Sequence, residues 1–426
     1  MKRIKTKTGA SVLAVMLGLS MLSGCGNSEK VSDKKEKTTA EYTTAEGEGF
    51  DPTSDRVKDK TKEIQSYINY YYYFDKDAEL QEETYFDGVM GGLDDPYSVY
   101  YTKEEYQQLM EDDKGKYVGI GATVQKNVDN NEIRIVKPIS GSPAEKAGLL
   151  PGDRLIKIDD YEVTDDTELE AAVKMIRGEE GKDVVVTVRR DGEKEDIPIT
   201  ITRAVVEYIS VSYEMLQGNI GYIQVDQFIE NTPDQFIKAV DDLMEQGAVA
   251  FVFDLRNNPG GLLNSVVKMI DYLVDDNAMV EGAEAAGDIL YTKNKDDKMM
   301  DKYTCSDGHS VDLPMAILVN DYSASASEVF TSCMRDYGKA KVVGVTTFGK
   351  GIVQTVLPLK DGSAIKITIA KYYTPSMTEI HKIGITPDIE IELPDDLKKM
   401  IKIPHKDDTQ LQAAVKVLGG QPLTDE

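Results

Sequence analysis

The chain has 426 residues, 41% of them apolar, which is too long for one small domain and enough apolar surface for two or three packed cores. Its formal charge is −26, and Lys2, Arg3, Lys5 and Lys7 all fall in a leader without acids, so the remainder is more acidic still. That sign argues against nucleic acid or broad anionic-lipid surfaces as partners.

The four bases are followed by an apolar run over 11–23 and then by Leu22-Ser23-Gly24-Cys25, the arrangement of an export signal over residues 1–24. The run is too short to persist as a membrane-spanning helix. The tetrapeptide resembles a bacterial lipobox. That resemblance implies a lipoprotein with diacylglycerol on Cys25, cut just before it and lipid-anchored on the extracytoplasmic face of the cell membrane. An ordinary signal peptide with a chance cysteine is the competing reading. Residues 25–55 hold Lys, Glu, Ser, Thr and Gly with almost nothing to bury, which predicts a disordered tether. Past the leader only Cys305 and Cys333 occur, too few for a disulfide framework. A single bridge between them is open, and a buried free Cys333 on a helix is preferred.

Residues 56–112 read as an N-terminal helical module, from the spacing of Val57, Ile64, Tyr67, Ile68 and Tyr71. A turn lies at Gly91-Gly92-Leu93-Asp94-Asp95-Pro96-Tyr97, and a further helix starts near Lys103. Tyr70-Tyr71-Tyr72-Tyr73 serves packing or an interface, and a homodimer through the terminal helices fits this organisation.

From about 113 to 204 the pattern changes to short alternating strands at 118–125, 133–136, 154–158, 183–190 and 197–202, with helices near 144–147 and 168–176. Arg190-Asp191-Gly192-Glu193 marks a hairpin. Such a segment makes one compact α/β sandwich. It resembles a PDZ domain, with Tyr117-Val118-Gly119-Ile120-Gly121 in the place of the carboxylate-binding loop. Gly141-Ser142-Pro143-Ala144, Gly148-Leu149 and Gly152-Asp153 match the middle of that family. The resemblance implies capture of a C-terminal carboxylate on backbone N–H groups, with the next strand accepting a peptide as an added strand and Ile120 and Val124 forming an apolar wall. A glycine-rich hairpin without a ligand is the plainer alternative.

Residues 205–394 alternate strands and helices. Strands are expected at 220–225, 248–255, 315–319, 341–345, 352–357 and 364–373, and helices at 232–245, 262–273 and 324–337. That is an α/β core with helices on a mostly parallel sheet, so the fold class is multidomain α/β. A tail over 395–426 holds one helix at about 408–418.

Three segments of this core carry chemistry. Asn320-Asp321-Tyr322-Ser323-Ala324-Ser325-Ala326-Ser327-Glu328 leaves a buried strand and opens a helix, where small residues admit a substrate and first-turn N–H groups favour an oxyanion. Alone it is equally a helix cap. Thr347-Phe348-Gly349-Lys350-Gly351-Ile352-Val353-Gln354 supplies a lysine. Phe253-Asp254-Leu255-Arg256-Asn257-Asn258-Pro259-Gly260-Gly261 leaves another strand end, where α/β sheets place their sites. The serine hydroxyl needs a neighbour to take its proton, and a neutral lysine in a poorly solvated pocket can do so in place of histidine.

Together the three segments resemble the carboxy-terminal processing, or tail-specific, serine proteases, from about Tyr67 to about Pro387 and with the PDZ domain in the expected place. The resemblance implies Ser325 as nucleophile, Lys350 as general base and Gln354 as the residue that positions the lysine. It implies an oxyanion hole from the N–H of Ala326 and of one of Gly260 and Gly261. Arg177 either caps the carbonyls of the second PDZ helix or couples PDZ occupancy to the core, as in regulated members of that family. The expected substrates are proteins or peptides captured by a free C-terminus or an unfolded segment.

Other motifs fail. Gly344 to Lys350 is a G-x-x-x-x-G-K sequence, but Gly351 stands where a phosphate-binding loop needs Ser or Thr and a strand follows instead of a helix. Ser265-Val266-Val267-Lys268 fits S-x-x-K without the S-D-N that should accompany it. No H-E-x-x-H or C-x-x-C occurs, so neither a metal nor another cofactor is implied, and His309, His381 and His405 lie outside any triad-like segment. The rival function is a PDZ adaptor with an inert protease-like core, against which the intact Ser325, Lys350 and Gln354 argue.

Overall fold

The computed structural model describes residues 51–127, 130–400 and 403–424. The expected export signal, Cys25 and most of the tether lie outside the described residues. Two compact units emerge, divided between Asp94 and Asp95. The smaller holds the helices Asp55–Tyr71 and Ala78–Gly91, the second capped by the Asp77 carboxylate. The first contributes no buried side chain, and Tyr70 to Phe74 are all exposed, so the tyrosine run joins no buried core; its rings touch one another, Tyr67 and Phe74 at the surface. No helix among the described residues is long and apolar enough to cross a membrane.

The helical module expected over 56–112 meets a difference at Asp95. Val99–Tyr101 is a strand paired antiparallel with residues 364–366, so the turn at 91–97 delivers the chain into the larger unit. Helix Lys103–Lys114 follows, with a reciprocal cap between Thr102 and Glu105 and a left-handed Gly115 at its end.

Next in sequence comes a six-stranded antiparallel sheet, in which Ala122–Lys126, Ile133–Pro138, Arg154–Ile158, Asp183–Arg189 and Ile197–Thr202 follow one another from the edge strand Ala122–Lys126 and the short Tyr161–Glu162 pairs with Arg154–Ile158. Helices Pro143–Ala147 and Leu169–Ile176 join it. Alternate residues of these strands, such as Val184, Val186 and Val188, fill one core with Ile133, Ile135 and Leu155. The strand expected over 118–125 is broken at Ile120 and Gly121. Lys116–Gly119 leaves to pair with Ala204–Glu207 in a ribbon of its own. Gly121 has φ +75° and a Cβ there would lie 2.4 Å from the Cβ of Ser142, so a glycine is what lets the chain turn this closely.

The catalytic-core candidate is built on a six-stranded sheet in the order Val211–Leu216, Ile220–Val225, Ala250–Asp254, Met315–Val319, Ala340–Gly344, Ile389–Glu390. Its first pairing is antiparallel and the other four are parallel. Expectation of a mostly parallel sheet therefore covers one sheet in a chain whose others are antiparallel, and the whole is a mixed, multidomain α/β fold. Its central strands are apolar on both faces, as covered strands must be. Phe251, Phe253 and Ile317 pack with Phe236, Val266 and Phe330 of the helices Thr232–Glu245, Leu263–Leu273 and Ala326–Asp336. Ala250, Val252 and Leu318 pack on the opposite face with Leu411, Ala414 and Val415 of the tail helix Thr409–Val417.

A second, antiparallel sheet contains Asp288–Lys293, Met299–Thr304, Ile352–Pro358 and Ala364–Tyr373. Sequence reading missed the hairpin 288–304, whose second strand is largely exposed and carries no apolar alternation to reveal it. Cys305 and Cys333 are both free and buried.

Candidate active site

Ser325 stands just before helix Ala326–Asp336, with φ 55° and ψ −114°, a strained conformation for a side-chain-bearing residue. The segment that holds it there is bound to the turn after strand Ala250–Asp254. The Ser323 hydroxyl donates to the Leu255 carbonyl over 2.8 Å. The Ala324 N–H and the Ser327 hydroxyl both donate to the carbonyl of Asn258, at 3.1 and 2.9 Å. Asn258 is fully buried, and its amide bridges the Val225 carbonyl and the Gly260 N–H.

Gly260, at φ +106°, presses directly on the serine: a Cβ there would lie 2.8 Å from the Ser325 Cβ and 3.0 Å from the Ala326 nitrogen. Its own N–H is taken by Asn258 Oδ1 at 2.9 Å. Among the described residues the N–H groups of Gly261 and Ala326 have no acceptor.

Ser325 and Lys350 come together through a residue to which sequence reasoning gave no role. Glu328, fully buried, accepts the N–H of Ser325 at 2.9 Å and the N–H of Lys350 at 2.8 Å on Oε2. On Oε1 it accepts the Thr347 hydroxyl at 2.6 Å and the Gly349 N–H at 2.7 Å. Burial pushes this carboxyl above its usual range, against hydrogen bonds that favour the charged form. Four donors around it are all satisfied only by a carboxylate. Buried Tyr372 makes a second tie, donating to the Lys350 carbonyl and lying 3.1 Å from the Ser325 carbonyl.

The two backbones are thus clamped side by side, while the Lys350 side chain points elsewhere. Its Nζ lies over the Tyr97 ring, 4.7 Å from the centroid, and among the described residues no hydrogen bond joins it to Ser325 Oγ or to Gln354. Burial lowers its pKa; Asp95 and Glu328 oppose that shift. Gln354, 1% exposed, donates from Nε2 to the Thr368 hydroxyl at 3.2 Å.

Asp254 and Arg256 of the same motif are buried beside each other. Tyr222 donates to Asp254 at 2.7 Å, and Arg256 reaches Asp408 at 2.8 Å, so this pair ties the strand end to the tail helix. His309 stacks on Tyr272 and His405 lies 3.4 Å from Glu214. His381 packs its backbone on Gly351, and among the described residues its Nδ1 has no partner. Asp271, Asp276 and Asp307 approach one another, and the first two accept backbone N–H groups of 306–308.

In the PDZ-like domain, Tyr117, Val118 and Gly119 lie in the strand paired with Ala204–Glu207. The carbonyls of Ile120 and Gly121 are bound by the N–H groups of Ala144 and Ile139. Ile120, expected as an apolar wall for a ligand, is 2% exposed and belongs to the domain core, since the turn at Gly121 folds it inward. Val124, the other wall residue, packs partly buried against that core. Arg177 does not cap helix Leu169–Ile176 with its side chain. Arg203 does so, donating to the carbonyls of Ile176 at 2.8 Å and Met175 at 3.0 Å. Arg177 instead lies over the Tyr117 ring, 4.8 Å from the centroid, and pairs with Asp112 at 3.2 Å.

Comparison with known proteins agrees with this anatomy. The model of peptidase family S41 matches residues 219–391 and a PDZ domain model matches 117–201. The chain is 38% identical to a CtpA-like serine protease of Staphylococcus haemolyticus over 92% of this chain and 74% of that protein. It is 41% identical to a CtpA-like serine protease of Staphylococcus saprophyticus over 79% of this chain, spanning 65% of the relative's length. Among solved structures, a candidate S41 protease from Bacteroides fragilis aligns with a TM-score of 0.53 at 18% identity, covering 82% of this chain and 92% of that one, a likeness of fold.

Proposed function

We propose that this chain, which belongs to the CtpA-like serine proteases of peptidase family S41, cleaves proteins with Ser325 as nucleophile and Lys350 as base. The observation that carries this reading is the Glu328 carboxylate, which receives the N–H groups of Ser325 and Lys350 on one oxygen. In the proposed reaction the Lys350 side chain swings from Tyr97 to Ser325 and neutral Nζ takes the hydroxyl proton as Oγ attacks the peptide carbonyl. Gln354 steadies the lysine. The Gly261 and Ala326 N–H groups receive the oxyanion, a choice supported by the commitment of the Gly260 N–H to Asn258. The protonated amine then passes its proton to the leaving nitrogen, and water, deprotonated by the same amine, releases the acyl group.

Substrate capture is proposed to use the PDZ domain: a C-terminal carboxylate on the turn at Tyr117 to Gly121, with the peptide added to the edge strand Ala122–Lys126. Arg177, on the Tyr117 ring, would sense that occupancy. The chain is further proposed to act outside the cytoplasm, tethered by lipid on Cys25. Cys25→Ala should then give a form without the lipid mass that leaves the membrane fraction or stays uncleaved; an unchanged membrane-bound mature form would sink the anchor.

The decisive experiment is labelling and turnover. Wild-type protein should take a serine-directed phosphonate at Ser325 and degrade an unfolded test protein, while Ser325→Ala and Lys350→Ala do neither. A folded wild type that resists the reagent and leaves the test protein intact would favour an adaptor with an inert core.

A further inference from the structure

The turn around Asp95 has no part in the mechanism above, yet it reaches the site. Asp95 Oδ1 accepts the Tyr97 N–H at 3.0 Å. Its Oδ2 accepts two hydroxyls, Ser98 Oγ at 2.6 Å and Thr368 Oγ1 at 2.7 Å. The Thr368 N–H in turn donates to Ser98 Oγ at 3.1 Å. A carboxylate can only accept, and a threonine hydroxyl has one proton. That proton is committed to Asp95, so the lone pairs of Thr368 are what Gln354 meets, and Gln354 responds with its amide nitrogen at 3.2 Å. The arrangement depends on strand register: Gln354 stands opposite Thr368 because the pairing of Ile352–Pro358 with Ala364–Tyr373 shifts between Val353 and Gln354.

We propose that Asp95 is a positioning residue for the base: acting through Thr368, it fixes the Gln354 amide with its nitrogen turned away and its carbonyl oxygen left to receive Lys350. This inference rests on the Ser325 and Lys350 reading and adds to it a residue far away in sequence. A lysine amine that must be held before it takes a proton needs an acceptor, and the carbonyl end of Gln354 is one while the NH2 end is not. Asp95 also acts by charge. It and Glu328 are the negative groups that hold the Lys350 ammonium against burial. Tyr97, Tyr372 and the Lys366 side chain complete its titratable surroundings, and His381 feels the Asp95 charge.

The test is steady-state cleavage of an unfolded protein by the full chain, measured across pH. Asp95→Asn places an NH2 where Thr368 needs an acceptor. It frees the threonine proton for Gln354 and turns the Gln354 nitrogen toward Lys350. We expect kcat to fall roughly 10- to 100-fold, the scale of one lost hydrogen bond to a charged group, with KM unchanged. The rising limb of activity should move to lower pH, because a negative neighbour of Lys350 is gone while Glu328 remains. Thr368→Val should lower kcat similarly and leave the pH limb in place, since Asp95 keeps its charge. Adding Asp95→Asn to Gln354→Ala should cost little beyond Gln354→Ala alone. If Asp95→Asn does not fold, Thr368→Val alone and in the Gln354→Ala background carries the test. Wild-type kcat in either single variant overturns the proposal, as do full multiplicative losses in the double variants. A lowered melting temperature with normal kcat and an unmoved limb overturns it too, by making Asp95 structural only. Failure of the parent reading would look different: Lys350→Ala would remain active.

Discussion

Glu328 and Arg177 each join two parts of the larger unit through a charged side chain, and they do so in opposite environments. Glu328 is enclosed, and its two oxygens hold four donors from two short segments. Arg177 holds one carboxylate at 3.2 Å and one ring face, with its side chain 29% exposed and that of Asp112 51% exposed. Removing a buried acceptor strands each donor at a cost of about 1–3 kcal/mol, whereas an exposed pair contributes about 0–1 kcal/mol. The joint at Glu328 is therefore a fixed frame and the joint at Arg177 one that can open at small cost. Under the proposed function, a domain that reports on a bound peptide would need the second kind of contact and the strained Ser325 the first.

The largest effect should come from the frame's cargo. Lys350→Arg keeps a cation that cannot lose its proton at working pH, so turnover should fall by roughly 100- to 10,000-fold while the urea midpoint stays near that of the wild type. Near-normal cleavage by the purified variant would mean that Lys350 is not the base. In the wild type, activity should climb as pH rises through the lowered Lys350 pKa, because the working form is the neutral amine.

Glu328→Gln tests the frame itself. The amide offers one acceptor oxygen where the carboxylate offered two, so part of the donor set meets an NH2. Urea unfolding should show a loss of about 3 kcal/mol, accompanied by loss of phosphonate labelling at Ser325. An unchanged unfolding midpoint would erase the contrast between the two joints.

Arg177→Ala should cost less than about 1 kcal/mol in the same unfolding experiment. Its effect should instead appear as a changed difference between cleavage of a peptide with a free C-terminus and of its amide. A larger stability loss than that of Glu328→Gln would invert the comparison.

The smallest expected effect is a slope. Burial, with Lys350 adding to it, pushes the Lys366 pKa down to about 7. Between that value and the ordinary lysine range the unfolded chain binds the proton that the folded chain has released. This group therefore makes stability rise with pH from about 7 to about 10. Lys366→Met should flatten the dependence of melting temperature on pH in that window, and an unaltered slope would show that Lys366 is not its source.

Much of this organisation is local in sequence. Alternation and glycine turns located the PDZ-like sheet, because period-two burial is written along each strand; the same holds for Ala250–Asp254 and Met315–Val319, whose unbroken apolar runs mark strands covered on both faces. Ser325, Lys350 and Gln354 could be singled out because each sits in a short contiguous motif that resembles those of the tail-specific proteases. The hairpin at 288–304 could not be, since an exposed strand leaves no apolar period.

Tertiary structure decided what those residues touch. Glu328 was legible only as the end of a motif; its three far partners, Thr347, Gly349 and Lys350, are 19, 21 and 22 residues on. Thr368 and Asp95 are 273 residues apart, and the Arg203 that caps a helix lies 27 residues beyond it. The sequence by itself determined which residue types were available and most of the backbone segments that form strands and helices, because propensity and periodic burial act over a few residues. Hydrogen bonds between side chains are directional and short-ranged, so the clamp on Ser325, the resting place of Lys350 on Tyr97 and the polarity of the Asp95-Thr368-Gln354 chain were decided only when packing brought distant segments within about 3 Å of one another.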